Sequence, residues 1–167
     1  MRNILTVLTF LFSLTLISNS YSQDYTAGRN AALEGDYKKA LNIWKPLVKE
    51  GNVLAIHSIG QLYVNGLGVL KDDLEAIKYF DLSARLEYPE SQYILATLYA
   101  KNVETLLNTT YRGPINQAYI WSNIAASNGH KLAAEFLYNL EQIMPSKDII
   151  QAQQYSKICV KSGYIDC

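Results

Sequence analysis

Residues that carry chemistry are scarce in this sequence, and each shortage excludes something. The 167-residue chain has two histidines, His57 and His130, and neither stands in a His-x-x-x-His or Cys/His spacing. A zinc site needs three or four converging ligands, so none is expected. Its two cysteines, Cys159 and Cys167, do not form a Cys-x-x-Cys pair, which removes the usual dithiol redox motif. No G-x-S-x-G or S-x-x-K nucleophile motif occurs, and no two of the scattered acids stand out as a catalytic pair. Excess charge is missing as well: 15 lysines and arginines meet 15 aspartates and glutamates. That balance argues against nucleic acid or an anionic membrane as the principal partner. Nothing in this inventory assigns a catalytic, cofactor-binding or metal-binding residue, and the chain is read as a non-enzyme.

Long apolar runs are also rare. The first, Ile4 to Ile17 within MRNILTVLTFLFSLTLISNSYSQDY, is too short for the ~20 residues that span a bilayer, and no second one follows. With Arg2 ahead of it and Ser20-Tyr21-Ser22 behind, the stretch 1–22 reads as a secretory signal peptide cut after Ser22, with Ser20 as the alternative site. No cysteine lies near the cut, so a lipid anchor is not expected. Taking 22 residues from 167 leaves 145, enough for one domain that buries about 68–70% of its unfolded surface without metal or cofactor. The mature chain is expected to be periplasmic or secreted in a bacterium, with no membrane insertion after cleavage. In such an oxidising compartment Cys159 and Cys167 are expected to form a disulfide that fastens the C-terminal tail. Closing so short a loop is worth about 2.5 kcal/mol in the chain-entropy model.

A repeat is plainly present. AIHSIGQLY (Ala55 to Tyr63) aligns with SQYILATLY (Ser91 to Tyr99) at an offset of 36, and KKALNIWKPLVKEGN (38–52) aligns with LEAIKYFDLSARLEY (74–88) at the same offset. A third copy, QAYIWSNIAASNGHKLA (Gln117 to Ala133), sets Ala118 on Ala76 at an offset of 42. Steps of three and four in Ala55, Ile59, Gly60, Leu62 and Tyr63 mark one face of a helix. The second segment of each copy opens on alanine and follows with an aromatic such as Trp44, Tyr79-Phe80 or Trp121. No strand-like alternation survives, so the expectation is an all-α stack of helical hairpins, 23–167, at about 24–51, 52–87, 88–129 and 130–141. A capping helix over about 146–162 closes it, with Ser146 as its N-cap.

Gly66-Leu67-Gly68 raises the question of a phosphate loop. It lacks the third glycine of G-x-G-x-x-G, Lys71 standing in that place, and it follows a helical segment rather than a strand. Gly66 and Gly68 are therefore read as a structural turn that uses positive φ, and Asp72 or Asp73 as the N-cap of the next helix.

The stretch AIHSIGQLYVNGLGVLKDDLEA, with its A-x-x-x-[LI]-G-x-L-Y-x-x-G-x-G-V-x-x-D-x-x-x-A pattern, resembles the Sel-one-like repeat family, relatives of the tetratricopeptide repeats. The ending EQIMPSKDIIQAQQYSKICVKSGYIDC is similar to the terminal helix of many bacterial members. In the third copy KNVETLLNTTYRGPIN (101–116), which includes the glycosylation-type sequon Asn108-Thr109-Thr110, replaces the glycine turn. The resemblance implies a right-handed α-solenoid that holds a protein or peptide partner, its first helices lining the concave face. On that reading the binding residues are those turned away from the core stripe: His57, Gln61 and Val64, their equivalents Tyr93, Thr97 and Ala100, then Glu135 and Asn139. Tyr63, Tyr79, Tyr99 and Trp121 are expected to pack. Two other readings stand beside it. One is an envelope hydrolase or cell-wall and β-lactam-binding protein, although relatives of that kind carry a cysteine pair in each repeat and this chain has none inside its repeats. The other is a structural or regulatory subunit.

Overall fold

Helix after helix is closed by the same local device, and that device sets the architecture. The computed structural model describes residues 24–102 and 113–167. Within them lie α1 (24–33), α2 (Tyr37–Lys49), α3 (Val53–Asn65), α4 (Asp73–Arg85), α5 (Pro89–Lys101), α6 (Pro114–Ser127), α7 (Lys131–Ile143) and α8 (Ser146–Lys161), with no strand among the described residues. After α2, α4, α6 and α8 the chain reverses through a left-handed residue: Gly51, Glu87, Gly129 and Gly163. The amide beyond it returns to a carbonyl five residues back, as in Asn52 N–H to Leu47 O (2.9 Å) and His130 N–H to Ala125 O (3.0 Å). Reversals this tight place consecutive helices antiparallel, giving an α-solenoid of hairpins.

The longer turn between α3 and α4 is built differently. Gly66 caps α3 at φ 67, Gly68 follows at φ 70, and Asp72 caps α4 by accepting from the amides of Leu74 and Glu75 at 3.0 and 2.9 Å. A Cβ on Gly68 would lie 2.8 Å from Tyr37 Cβ, so this turn is pressed onto the start of α2. Small residues also set helix spacing inside the hairpins. Gly60 faces the Phe80 ring, where a Cβ would come within 3.0 Å, and Gly28 lies directly under the Trp44 indole.

Two apolar clusters result. One joins the leading hairpin to α3 through Ala31, Leu41, Trp44, Leu47, Ile59 and Leu62. The other gathers Phe80, Leu95, Tyr119, Ile120, Trp121 and Ile124 around α4 to α8. The second cluster takes in the C-terminal tail, where Cys159 and Cys167 are disulfide-bonded with their Cα atoms 4.6 Å apart. The tail folds back across the stack. Arg85 of α4 donates to the Tyr164 carbonyl, Gln117 of α6 donates to the Cys167 carbonyl at 3.1 Å, and Tyr164 stacks on Trp121 with ring centres 6.4 Å apart.

Two expectations need correction. Residues 130–141 are not a short hairpin of their own; they belong to the single helix α7, which packs on α6, as α8 also does. Ser146 is the first residue of α8 rather than its N-cap: Pro145 holds that place, and no side chain caps the helix. The expected signal peptide (1–22), residues 103–112 of the inserted segment and its sequon lie outside the described residues. No helix among the described residues is long and apolar enough to cross a membrane.

Candidate interaction surface

The odd-numbered helices stand side by side, tied by side chains that reach from each to the next. Tyr25 of α1 meets Ser58 of α3 through a hydroxyl pair at 3.3 Å. His57 of α3 meets Ser91 of α5 at 2.8 Å, and Tyr93 of α5 stacks on His130 at the start of α7 with ring centres 4.5 Å apart. One ring contact is repeated along this row. His57 and Tyr93 occupy equivalent repeat positions, and each packs a ring against the N-cap residue of the following odd helix: His57 against Tyr88 edge-on at 5.0 Å, Tyr93 against His130.

Hydrogen-bond directions fix the state of both imidazoles. Ser91 Oγ donates to Ser83 Oγ (2.8 Å), and Ser83 Oγ donates to the Val53 carbonyl (3.4 Å). With its own hydrogen spent, Ser91 Oγ accepts from His57, whose proton therefore sits on Nδ1. Burial pushes the His57 pKa down, against the weaker raising effect of the Glu90 carboxylate. His130 takes the opposite tautomer: Nδ1 accepts from the Ala133 amide at 3.2 Å as a helix cap, and Nε2–H donates to Glu90 at 2.9 Å.

His57 was expected to face outward and instead joins the packing between repeats. It lies edge-on to Phe80 as well as to Tyr88 and is half-buried. Tyr93 is also half-buried, lying edge-on to Phe136. Gln61, Val64 and Thr97 are half-exposed on α3 and α5, while Glu135 and Asn139 are exposed on α7. Gln61 supplies its carbonyl (2.8 Å) and Oε1 (3.3 Å) to Asn65 Nδ2, and Thr97 Oγ1 donates to the Ile94 carbonyl at 2.7 Å. The structure thus brings His57 and Tyr93 into inter-repeat contacts and leaves Gln61, Thr97, Glu135 and Asn139 facing outward. Val64 and Ala100 pack in part against the larger cluster. Tyr63 and Tyr79 stack on each other at 5.6 Å, Trp121 is buried, and Tyr99 is buried enough for its pKa to be pushed up to about 12.

Sequence reasoning missed Ser83, Ser91, Tyr88 and Glu90 as members of this layer. A signal for the serines existed. Ser91 stands where the preceding repeat has Ala55, and Ser83 where it has Leu47, and hydroxyls in two core positions require partners.

Comparison with known proteins agrees with this architecture. Residues 53–88 and 115–130 match the Sel1 repeat. No curated protein matches the sequence. Among solved structures the chain is similar to c5321, described as a protective antigen present in uropathogenic Escherichia coli strains and displaying an SLR fold. The TM-score is 0.73 at 20% identity, over 86% of this chain and 31% of that one, so the chain spans about a third of that antigen's length. The chain thus carries two stretches that match the Sel1 repeat, set in an α-solenoid similar to an SLR fold.

Proposed function

We propose that the protein is an exported, non-enzymatic binding module that holds a peptide or protein segment against its row of odd-numbered helices, the concave side of the solenoid. Sel1 repeats generally mediate protein–protein interaction. The observation that carries the reading for this chain is the strip of side chains on α3, α5 and α7 that the cores do not consume: Gln61, Thr97, Glu135 and Asn139, amide, hydroxyl and carboxylate in alternation. Such a surface offers hydrogen bonds to an extended backbone without selecting for nucleic acid. The rings of His57, Tyr88, Tyr93 and His130 form a rigid border beside it, of the kind that anchors interfaces at low entropic cost. The Cys159–Cys167 disulfide is what a chain folded in an oxidising compartment carries.

A photocrosslinking amino acid at Gln61 or Thr97, tested in the native envelope fraction, is expected to capture one shared partner that the same probe at Leu82 of α4 does not. Capture from Leu82 alone would place binding elsewhere. Turnover of a fluorogenic cephalosporin or of peptidoglycan by the pure protein would overturn the non-enzymatic part.

A further inference from the structure

The balanced net charge conceals a segregation. Helix α2, YKKALNIWKPLVK, carries four lysines and no acid. Lys38, Asn42, Lys45 and Lys49 recur at steps of four, three and four, which is one face of a helix, and all four are exposed while Ala40, Leu41, Trp44 and Leu47 fill the core behind them. None of the four lysines of α2 is ion-paired among the described residues, whose lysine and arginine ion pairs are Lys78–Glu75, Arg85–Asp81 and Lys101–Asp73. Beside this stripe runs a groove of about 580 Å³ between α2 and α4. Lys45, Lys49 and Asn42 stand along it, Pro46, Val48 and the half-buried Tyr79 give it apolar surface, and Glu50 is the one acid on its rim.

We propose that this groove docks an acidic linear peptide segment bearing bulky apolar side chains, at a site separate from the odd-helix face. Charge complementarity selects the acid: a run of unpaired ammonium groups along one wall attracts carboxylates and disfavours basic partners. The apolar surface selects the second feature, since Val48, Pro46 and the Tyr79 ring offer contact to an aromatic or branched side chain set between the acids. A membrane surface fits less well, because a helix that lies in the lipid interface presents its apolar face outward, whereas the apolar face of α2 is buried against α1 and α3. A second groove, between α6 and α8, also sets two lysines, Lys157 and Lys161, beside an apolar patch of Ile124 and Val160. It lacks the longer stripe of Lys38, Lys45 and Lys49, so the leading hairpin is the stronger site.

The test uses the mature protein and a fluorescein-labelled peptide of alternating glutamate and phenylalanine, followed by fluorescence anisotropy. Binding is expected, weakening at least tenfold in Lys45→Glu/Lys49→Glu, falling as salt is raised, and staying within twofold in Gln61→Arg/Thr97→Arg. Thermal melts check that both variants fold. Three results would overturn the proposal: no binding of the peptide; binding that the lysine variant retains; or binding lost only in Gln61→Arg/Thr97→Arg, which would move the peptide to the odd-helix face. Equal binding of an alternating lysine and phenylalanine peptide would remove the electrostatic argument. Binding of phosphatidylglycerol vesicles without binding of the peptide would replace the proposed partner with a membrane.

Discussion

His57 and Glu87 show how single residues record the packing around them. Because burial lowers the His57 pKa below its ordinary 6.5, the unfolded chain binds a proton there at a pH where the folded chain does not. His57's contribution to stability is therefore complete above about pH 6.5 and is lost as pH falls through the window between that value and the lowered folded-state pKa. Urea titrations at pH 7.5, 6.5 and 5.5 are expected to show a steeper acid loss for the natural protein than for His57→Asn, whose amide can still donate toward Ser91. Equal slopes would show that His57 does not titrate differently on folding. Glu87 is left-handed at φ 63 in a place where the other even helices use glycine. A left-handed L-residue costs roughly 1–2 kcal/mol, partly offset in a glycine variant by the larger entropy of its unfolded chain. Glu87→Gly is accordingly expected to stabilise by about 0.5–1 kcal/mol, read as a higher urea midpoint at unchanged slope.

Among the elements, the α3–α4 turn is the most tightly constrained. Gly68 needs its positive φ, and its Cα approaches Tyr37 and Lys38 so closely that a methyl group would displace the start of α2. Gly68→Ala is expected to cost about 2–3 kcal/mol, combining backbone strain with overpacking. Gly35→Ala provides the comparison: Gly35 is also left-handed but has nothing within 4 Å of the added atom, so its cost is the conformational one alone, about 1 kcal/mol. Chemical denaturation of the two variants separates the terms, and equal losses would remove the role of the contact with α2. This turn was legible in the sequence because glycine spacing and an aspartate cap are local signals. The hairpins were legible because the offset of 36 phases alanine, aromatic and glycine positions together. The inward role of His57 was not, since its partners Phe80, Tyr88 and Ser91 lie outside α3 and a periodic stripe on one helix says nothing about its neighbour.

At the scale of the molecule, the tail is the least legible feature and one of the most consequential. Two cysteines near the end of the sequence suggested a bond, but nothing local shows that Tyr164 reaches Arg85, 79 residues away, or stacks on Trp121. The clamp ties α4, α6 and α8 into one unit. Reducing the disulfide is expected to cost about 2.5 kcal/mol and to lower the melting temperature by roughly 5–10 °C. Trp121 emission should change alongside, as the Tyr164 ring leaves it. An unchanged melt in reductant would mean that the Arg85 and Gln117 contacts hold the tail by themselves.

That clamp has a mechanical consequence. From α4 onward the stack is braced on both edges, by the rings and hydrogen bonds along the odd helices and by the tail across the even ones. The leading hairpin is braced on one edge, through Tyr25 and Ser58 and the seat of Gly68 on Tyr37, while its other edge opens into the α2–α4 groove. Stiffness is thus graded along the axis, with a rigid C-terminal anvil and a compliant N-terminal jaw. Pulled from its two ends, the domain is expected to yield first between α2 and α4, at the groove itself, so that a segment wedged there would act as a splint.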